Sequence, residues 1–385
     1  MRNNRDERYS GFSGWLRKNR TALRSCGIAA AVIGTGLAVW YGVGMYQQRK
    51  AQEAMIAARY ETQQENPEET LAEMAKEDQE SADSGTQTGK EMLFEENTVF
   101  WNGKTYKRNT YVKAVLCMGV DRDGPMTETT LSGDGGQADG IFLLANDTAR
   151  GSMKILLIPR DSMTEITKTD TSWTEANGAE LGEVVDHLSL SYAYGDGREK
   201  SCEYTKQAVS YLLMGLKIDS YMAADLEIIA SLNDEVGGVT VTIPTMGMEQ
   251  ADPEFVFGQT VRLKGEQAER FVRFRDTERD NSAISRMEQQ KLYISGFFQA
   301  VKEKSRKESS ITERLFEMSQ DYMVTDMEKD EYLKLAVNAL EGDGLTSASF
   351  KMTPGTGTAT ETYDEYYVDQ EALVPILLDL FYREA

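Results

Sequence analysis

The chain has 385 residues, with 42 basic and 63 acidic side chains and a formal charge of −21. That length carries one large domain with appendages, or two domains, and that charge excludes sequence-independent nucleic-acid binding through an overall basic surface. His187 is the single histidine, and Cys26, Cys117 and Cys202 lie far apart with no C-x-x-C pair. Multi-histidine zinc sites are excluded, and a thiolate metal site or disulfide scaffold is not supported. The cysteines read as small packed apolar residues, with a Cys117–Cys202 bridge as the minor alternative.

Residues 1–25 carry seven basic and two acidic side chains, and Ser25–Gln48 is a run of 24 residues without formal charge. At 1.5 Å per residue such a run crosses the roughly 30 Å hydrocarbon layer. The expectation is a transmembrane anchor over residues 26–48 behind a cytoplasmic tail of residues 1–25, with a cleaved signal peptide as the alternative. The basic excess before the span places the N-terminus inside and everything after residue 50 outside the cell membrane. Residues 51–100 hold three basic and thirteen acidic side chains and few large apolar ones. Residues 49–97 are therefore expected to be an extracellular acidic stalk, ahead of one extracellular domain over residues 98–385.

Within that domain, Asn102-Gly103 between aromatic flanks predicts a type I′ hairpin. Short apolar runs predict strands over 112–120, 140–146, 153–159 and 236–244, and helical spacing predicts helices over 202–216 and 282–304. Alternation of the two implies an α/β sandwich.

Candidate chemistry lies past the strand ends, where open α/β sheets place their sites. The segments are Gly119-Val120-Asp121-Arg122-Asp123, Gln137-Ala138-Asp139 and Pro159-Arg160-Asp161. Carboxylates beside an arginine suit a hard divalent cation next to a phosphate. Each is weak alone, since a charged strand end is commonly a solvated loop. The stretch from Arg270 to Arg286 is stronger, with five arginines against three acids in an otherwise acidic domain. Arg273 and Arg275 lie two apart, and Arg286 and Gln290 lie four apart on one helix face. Guanidinium forks match phosphate oxygens, so converging arginines suit a pyrophosphate; the competing reading is a loop of surface ion pairs.

The segments LCMGVDRD (116–123), QADGIFLLAND (137–147), MKILLIPRDSM (153–163), SLSYAYGDG (189–197), LKGEQAERFVRFRD (263–276) and SRMEQQ (285–290), together with residues 218–244, resemble in order and spacing the LytR-CpsA-Psr domain of Gram-positive cell envelopes. The resemblance covers a core of residues 111–300. It implies a mixed central β-sheet flanked by helices, an αβα sandwich, with a tunnel for the polyprenyl chain of a lipid-pyrophosphate-linked glycopolymer. It implies transfer of that polymer, a teichoic acid or a capsular or secondary wall polysaccharide, to peptidoglycan as a phosphodiester. By motif, Asp121 and Asp139 resemble the Mg²⁺ (or Mn²⁺) ligands, and Arg160, Arg273, Arg275, Arg286 and Gln290 the pyrophosphate-binding set, with Arg160, Arg275 and Asp139 closest to the chemistry. The implied partners are the polyprenyl-pyrophosphate glycopolymer, the peptidoglycan acceptor and the lipid bilayer, and no nucleic acid.

Three positions depart from the family's pattern. Gln137 stands where an arginine is usual, Gln289 stands within the segment that usually reads R-x-x-R-Q, and His187-Leu188-Ser189-Leu190 replaces K-I-N-A. Arg122 or Arg279 is a candidate to compensate, and His187 is a candidate general base. Ile141, Leu143 and Phe297 are expected to line the tunnel. The alternative function is a noncatalytic envelope scaffold that binds lipid or wall polymer.

Overall fold

The structure, a computed structural model, describes residues 94–95, 97–122, 124–130, 133–167, 183–276, 282–341, 345–360 and 363–385. The expected tail, anchor and most of the stalk lie outside the described residues, as does Arg279. Among the described residues no helix is long and apolar enough to cross a membrane.

Strands β1 (Phe94–Glu95), β2 (Thr98–Trp101) and β3 (Lys104–Arg108) open the domain. Asn102 and Gly103 both have positive φ, 51° and 75°, which is the type I′ geometry their sequence predicts. Next come β4 (Val112–Asp121), β5 (Gln137–Asp147), β6 (Ser152–Ile158), β7 (Met163–Thr167), β8 (Glu183–His187), α1 (Leu190–Ala193), α2 (Glu199–Leu212), β9 (Ser220–Asp225) and α3 (Ile228–Glu235). They are followed by β10 (Thr240–Thr242), β11 (Thr260–Arg262), α4 (Glu266–Arg273), α5 (Ser282–Ser305), α6 (Ile311–Ser319), β12 (Met323–Thr325) and α7 (Lys329–Glu341). The chain closes with β13 (Phe350–Met352), β14 (Gly355–Ala359), β15 (Asp364–Val368), α8 (Gln370–Phe381) and β16 (Tyr382–Glu384), the last pairing with β3.

The central sheet has the order β12-β9-β4-β5-β6-β13. It is mixed: β4/β5, β5/β6 and β9/β12 run antiparallel, β4/β9 and β6/β13 parallel. Alternation along its long strands splits the apolar side chains between two layers. Leu116, Met118, Ile141, Leu143, Leu156 and Ile158 pack with Ala208, Val209 and Leu212 of α2 and with Leu373, Leu377 and Phe381 of α8. Val115, Cys117, Leu144, Ile155 and Leu157 face the other way, against Met287 of α5 and Leu335 and Ala339 of α7. Helices on both faces of a mixed sheet give the expected αβα layering. A satellite cluster joins α4, α5, α6, β10 and β11 around Phe255, Phe271 and Tyr293.

Two predicted elements are shorter than their sequence pattern. The strand expected over 236–244 is β10 alone, because Gly237 and Gly238 stand at φ 90° and 91°, outside extended geometry. The helix expected over 202–216 stops at Leu212, ahead of Met214 and Gly215 at φ 58° and 79°. Left-handed residues end helices, and glycine carries that conformation without strain.

Candidate functional site

The register of β4 and β5 slips between Gly119 and Val120: Gly119 faces Gly140, Val120 faces Ala138, and Asp139 is left with no partner across the strand pair. Asp139 is thus the extra residue of a β-bulge, which re-aims a side chain at a strand end. The carboxylate turns to where two arginines meet. Arg160, just past β6, donates to Asp139 Oδ1, and Arg286 in α5 donates to Oδ2 at 2.8 Å. Only 7% of the Arg286 side chain and 11% of that of Asp139 reach solvent.

Arg160 is set by the turn after Pro159, closed by Ser162 N–H on the Pro159 carbonyl at 3.1 Å, while its own carbonyl takes Ser189 N–H at 3.0 Å. Its Nε lies 3.2 Å from Asp161 Oδ1. Arg273 ends α4, where its guanidinium is shared between Glu269 at 2.9 Å and Asp121 at 2.5 Å. Phe274 leaves the helix with ψ 128°, so Arg275 sits on an extended strap and donates to Asp364 Oδ2 of β15 at 3.0 Å. Gln290 lies over the backbone of Gly140, its amide 3.5 Å from where a Cβ would stand.

The electrostatics bind these segments into one centre. Burial depresses the Arg286 guanidinium below its ordinary value; Asp139 pulls it back, and Arg160 and Arg275 push it down further. It stays charged at any pH the fold survives. Burial also lowers Arg273, but Asp121, Glu269 and Asp139 outweigh it and raise the group on balance. Arg286 therefore feels both Arg160 and Arg275, and Arg273 feels the Asp139 carboxylate. Among the described residues of the arginine stretch, the surface-ion-pair reading holds for Arg270, which bridges Asp252 and Glu266 at 2.9 and 3.0 Å, and in part for Arg273, whose partners Glu269 and Asp121 are partly exposed.

Asp121 and Asp139 sit on neighbouring strands, Asp121 opposite Gln137 in register. Both Asp139 oxygens hold arginines, whereas one Asp121 oxygen holds Arg273 and its side chain is 41% exposed. A carboxylate offers about four lone-pair sites, so both retain capacity for a hard cation, and an all-oxygen pair fits Mg²⁺ chemistry. Gln137 is exposed at the rim.

Two candidates are engaged elsewhere. Arg122 spends its guanidinium on the Thr127 carbonyl and hydroxyl, both at 2.8 Å, and so closes its own loop. His187 donates from Nε2 to the Asp364 carbonyl at 3.0 Å, and its Nδ1 faces Asp186 at 3.2 Å. Both nitrogens are thus occupied, which disfavours the general-base reading. Cys117 and Cys202 are free, buried thiols in different clusters on the two faces of the sheet.

On the face bearing Arg286, α5, α6 and α7 enclose an apolar cavity of about 120 Å³ lined by Leu144, Met153, Met222, Phe297, Phe298 and Tyr332 among others. Burial pushes the Tyr332 hydroxyl up to about 12, so it stays neutral. Phe297 lines the cavity as expected; Ile141 and Leu143 do not, because strand alternation turns them to the α2 and α8 layer and leaves Leu144 on this face. From Arg286 to Phe297 the helix rises about 16 Å, and from Asp139 to Leu144 the strand rises about 17 Å. Helix and strand thus both lead from the charged centre to the cavity.

Sequence reasoning missed Asp364 and Glu269, and named Gln289 only as a departure from the family's pattern. Nothing in TYDEYY marks Asp364 as the partner of an arginine 89 positions earlier. Glu269 did carry a signal, four residues before Arg273 on one helix.

Residues 64–379 match the profile of the LytR_cpsA_psr family. The chain belongs to that family. Among curated LytR_cpsA_psr relatives, the polyisoprenyl-teichoic acid–peptidoglycan teichoic acid transferase TagU of Bacillus licheniformis is 25% identical over 69% of this chain and 76% of its own. Among solved structures, a protein of Streptococcus agalactiae aligns with TM-score 0.55 at 19% identity over 70% of this chain and 87% of its own. Bacillus subtilis TagV aligns with TM-score 0.51 at 18% identity, over 70% and 97%. At such identities the two structures share the fold.

Proposed function

We propose that this LytR_cpsA_psr protein moves a glycopolymer from a polyprenyl-pyrophosphate carrier to peptidoglycan as a phosphodiester, from the outer face of a membrane to which residues 26–48 anchor it. One observation carries the reading: Arg160 and Arg286 clamp the Asp139 carboxylate, Arg273 feels that carboxylate and Arg275 feels Arg286, on the sheet face that leads to an apolar cavity. The name of the TagU relative, a polyisoprenyl-teichoic acid–peptidoglycan transferase, points to the same substrates.

The chemistry follows from charge. A pyrophosphate bridging lipid and sugar spreads negative charge over both phosphates, and planar guanidinium forks match that array. Arg160, Arg275 and Arg286 would hold it, with Arg273 and Gln290 at its edge. An acceptor sugar hydroxyl attacks the sugar-side phosphorus in line and yields its proton to the departing phosphate; the P–O–P bridge breaks, and the lipid leaves as its monophosphate. Fixed cations aimed at the charge that develops on the bridging oxygen supply the catalysis. No covalent intermediate is needed, and burial holds the Cys117 and Cys202 thiols well above their ordinary range. A Mg²⁺ or Mn²⁺ ion held by Asp121 and Asp139 would neutralise phosphate charge beside the arginines.

The cavity compares with the roughly 150 Å³ that takes one benzene, so a long polyprenyl tail has to part α5, α6 and α7 from the sheet. Mixing the full-length protein with a lipid-pyrophosphate saccharide, Mg²⁺ and a peptidoglycan fragment should release polyprenyl phosphate. Tight binding of the lipid without release would favour the scaffold reading instead.

A further inference from the structure

Gln289 is 1% exposed and lies in α5 between Arg286 and Gln290. With its amide nitrogen turned toward α4, it donates to the Phe271 carbonyl at 3.1 Å and to the Phe274 carbonyl at 3.0 Å. The last turn of a helix leaves carbonyls without intrahelical partners. Phe271 is fully buried against Phe255, so its carbonyl would be costly to leave unpaired. The two carbonyls flank Arg273, and the second belongs to the residue joining Arg273 to Arg275.

We propose that Gln289 is a positioning residue for the arginine centre. One carboxamide on α5 spends both N–H groups on the end of α4, and so fixes the distance between the helix that delivers Arg286 and the strap that delivers Arg273 and Arg275. The residue type follows from chemistry. A carboxamide supplies two donors without charge, whereas a carboxylate would face both carbonyls with lone pairs. This role rests on the pyrophosphate reading only for what the arginines bind, not for how they are held.

The test uses full-length protein in detergent, with inorganic pyrophosphate as the probe, measured calorimetrically, and hydrogen exchange of residues 270–276. Gln289→Met keeps the side-chain length and removes both donors. It should weaken pyrophosphate about tenfold or more, since displacements near 1 Å can cost about a hundredfold, and should speed exchange in 270–276 while the central sheet keeps its protection. Gln289→Glu should match the Met variant near pH 8 and regain part of the affinity near pH 5.5, where its buried carboxyl is protonated and donates one hydrogen bond. Wild-type affinity and unchanged exchange in the Met variant would overturn the proposal. So would faster exchange throughout the sheet, which would mark Gln289 as a general stability residue. Should wild-type protein bind no pyrophosphate, the anion reading fails on its own and exchange decides the role of Gln289: acceleration confined to 270–276 supports it, and no change overturns it.

Discussion

Arg286 Nη1 donates to Asp139 Oδ2 at 2.8 Å across 147 positions of sequence, and the pair is almost wholly withdrawn from water. Taking two ions out of water costs several kcal/mol each, and a well-packed apolar pair often serves stability as well. A buried ionic pair at a strand bulge, within reach of Arg160 and Arg275, is the arrangement that the proposed pyrophosphate centre requires.

Removing one partner leaves the other charged and buried. Asp139→Ala should therefore lower unfolding free energy by about 3–5 kcal/mol, and the Asp139→Leu, Arg286→Met double variant by clearly less than the two single changes together. Urea denaturation of wild type, Asp139→Ala, Asp139→Leu, Arg286→Met and the double variant measures both.

Arg275 is different, because its guanidinium pairs with a partly exposed Asp364. Arg275→Ala should leave the thermal midpoint within a few degrees of wild type, the loss of a partly exposed pair being worth about 1 kcal/mol or less. Transfer should fall by about a hundredfold or more, the size of losing one donor to a developing charge. Steady-state transfer rates and thermal unfolding separate the two effects.

Strands β4, β5 and β6 and helix α5 were legible because each is a long run with a clear period. The residues they carry to the centre could be named from motif order. What no pattern disclosed is geometry that depends on pairing. The bulge that aims Asp139 arises from a one-residue slip between β4 and β5, and the choice of Leu144 over Ile141 and Leu143 follows from which face α5 covers. Gln289 looked like a missing charge in sequence; in the fold it meets carbonyls. Asp364 comes from a hairpin whose only link to the arginines is tertiary.

Filling the cavity should uncouple lipid from phosphate. Ala339 lines it from α7, an element that carries none of the four arginines. Ala339→Phe should abolish copurification of polyprenyl lipid, read by mass spectrometry of gently extracted protein, while inorganic pyrophosphate binding stays within about threefold. Full lipid recovery in that variant would remove the cavity from the substrate path.

Acid stability gives a separate check on the satellite cluster. Burial raises the Asp252 carboxyl, but the Glu254 amide, Arg270 and Gln267 outweigh it and hold the group below its ordinary range. Its contribution is complete above the unfolded value of about 3.9 and is lost as pH falls through the lower folded value. Asp252→Asn should cost about 1–3 kcal/mol near pH 7, and the gap to wild type should close below about pH 4. Denaturant midpoints across that range measure it.

The central claim is that a phosphorus centre, not a sugar carbon, is attacked at the arginine centre. Phosphorus NMR of full-length protein with a lipid-pyrophosphate saccharide, Mg²⁺ and a peptidoglycan fragment decides it. The account predicts lipid monophosphate and a new phosphodiester appearing in equal amounts, with both signals lost in Arg275→Ala. Release of intact lipid pyrophosphate, which means attack at the sugar carbon, would contradict it, and so would lipid monophosphate with no phosphodiester.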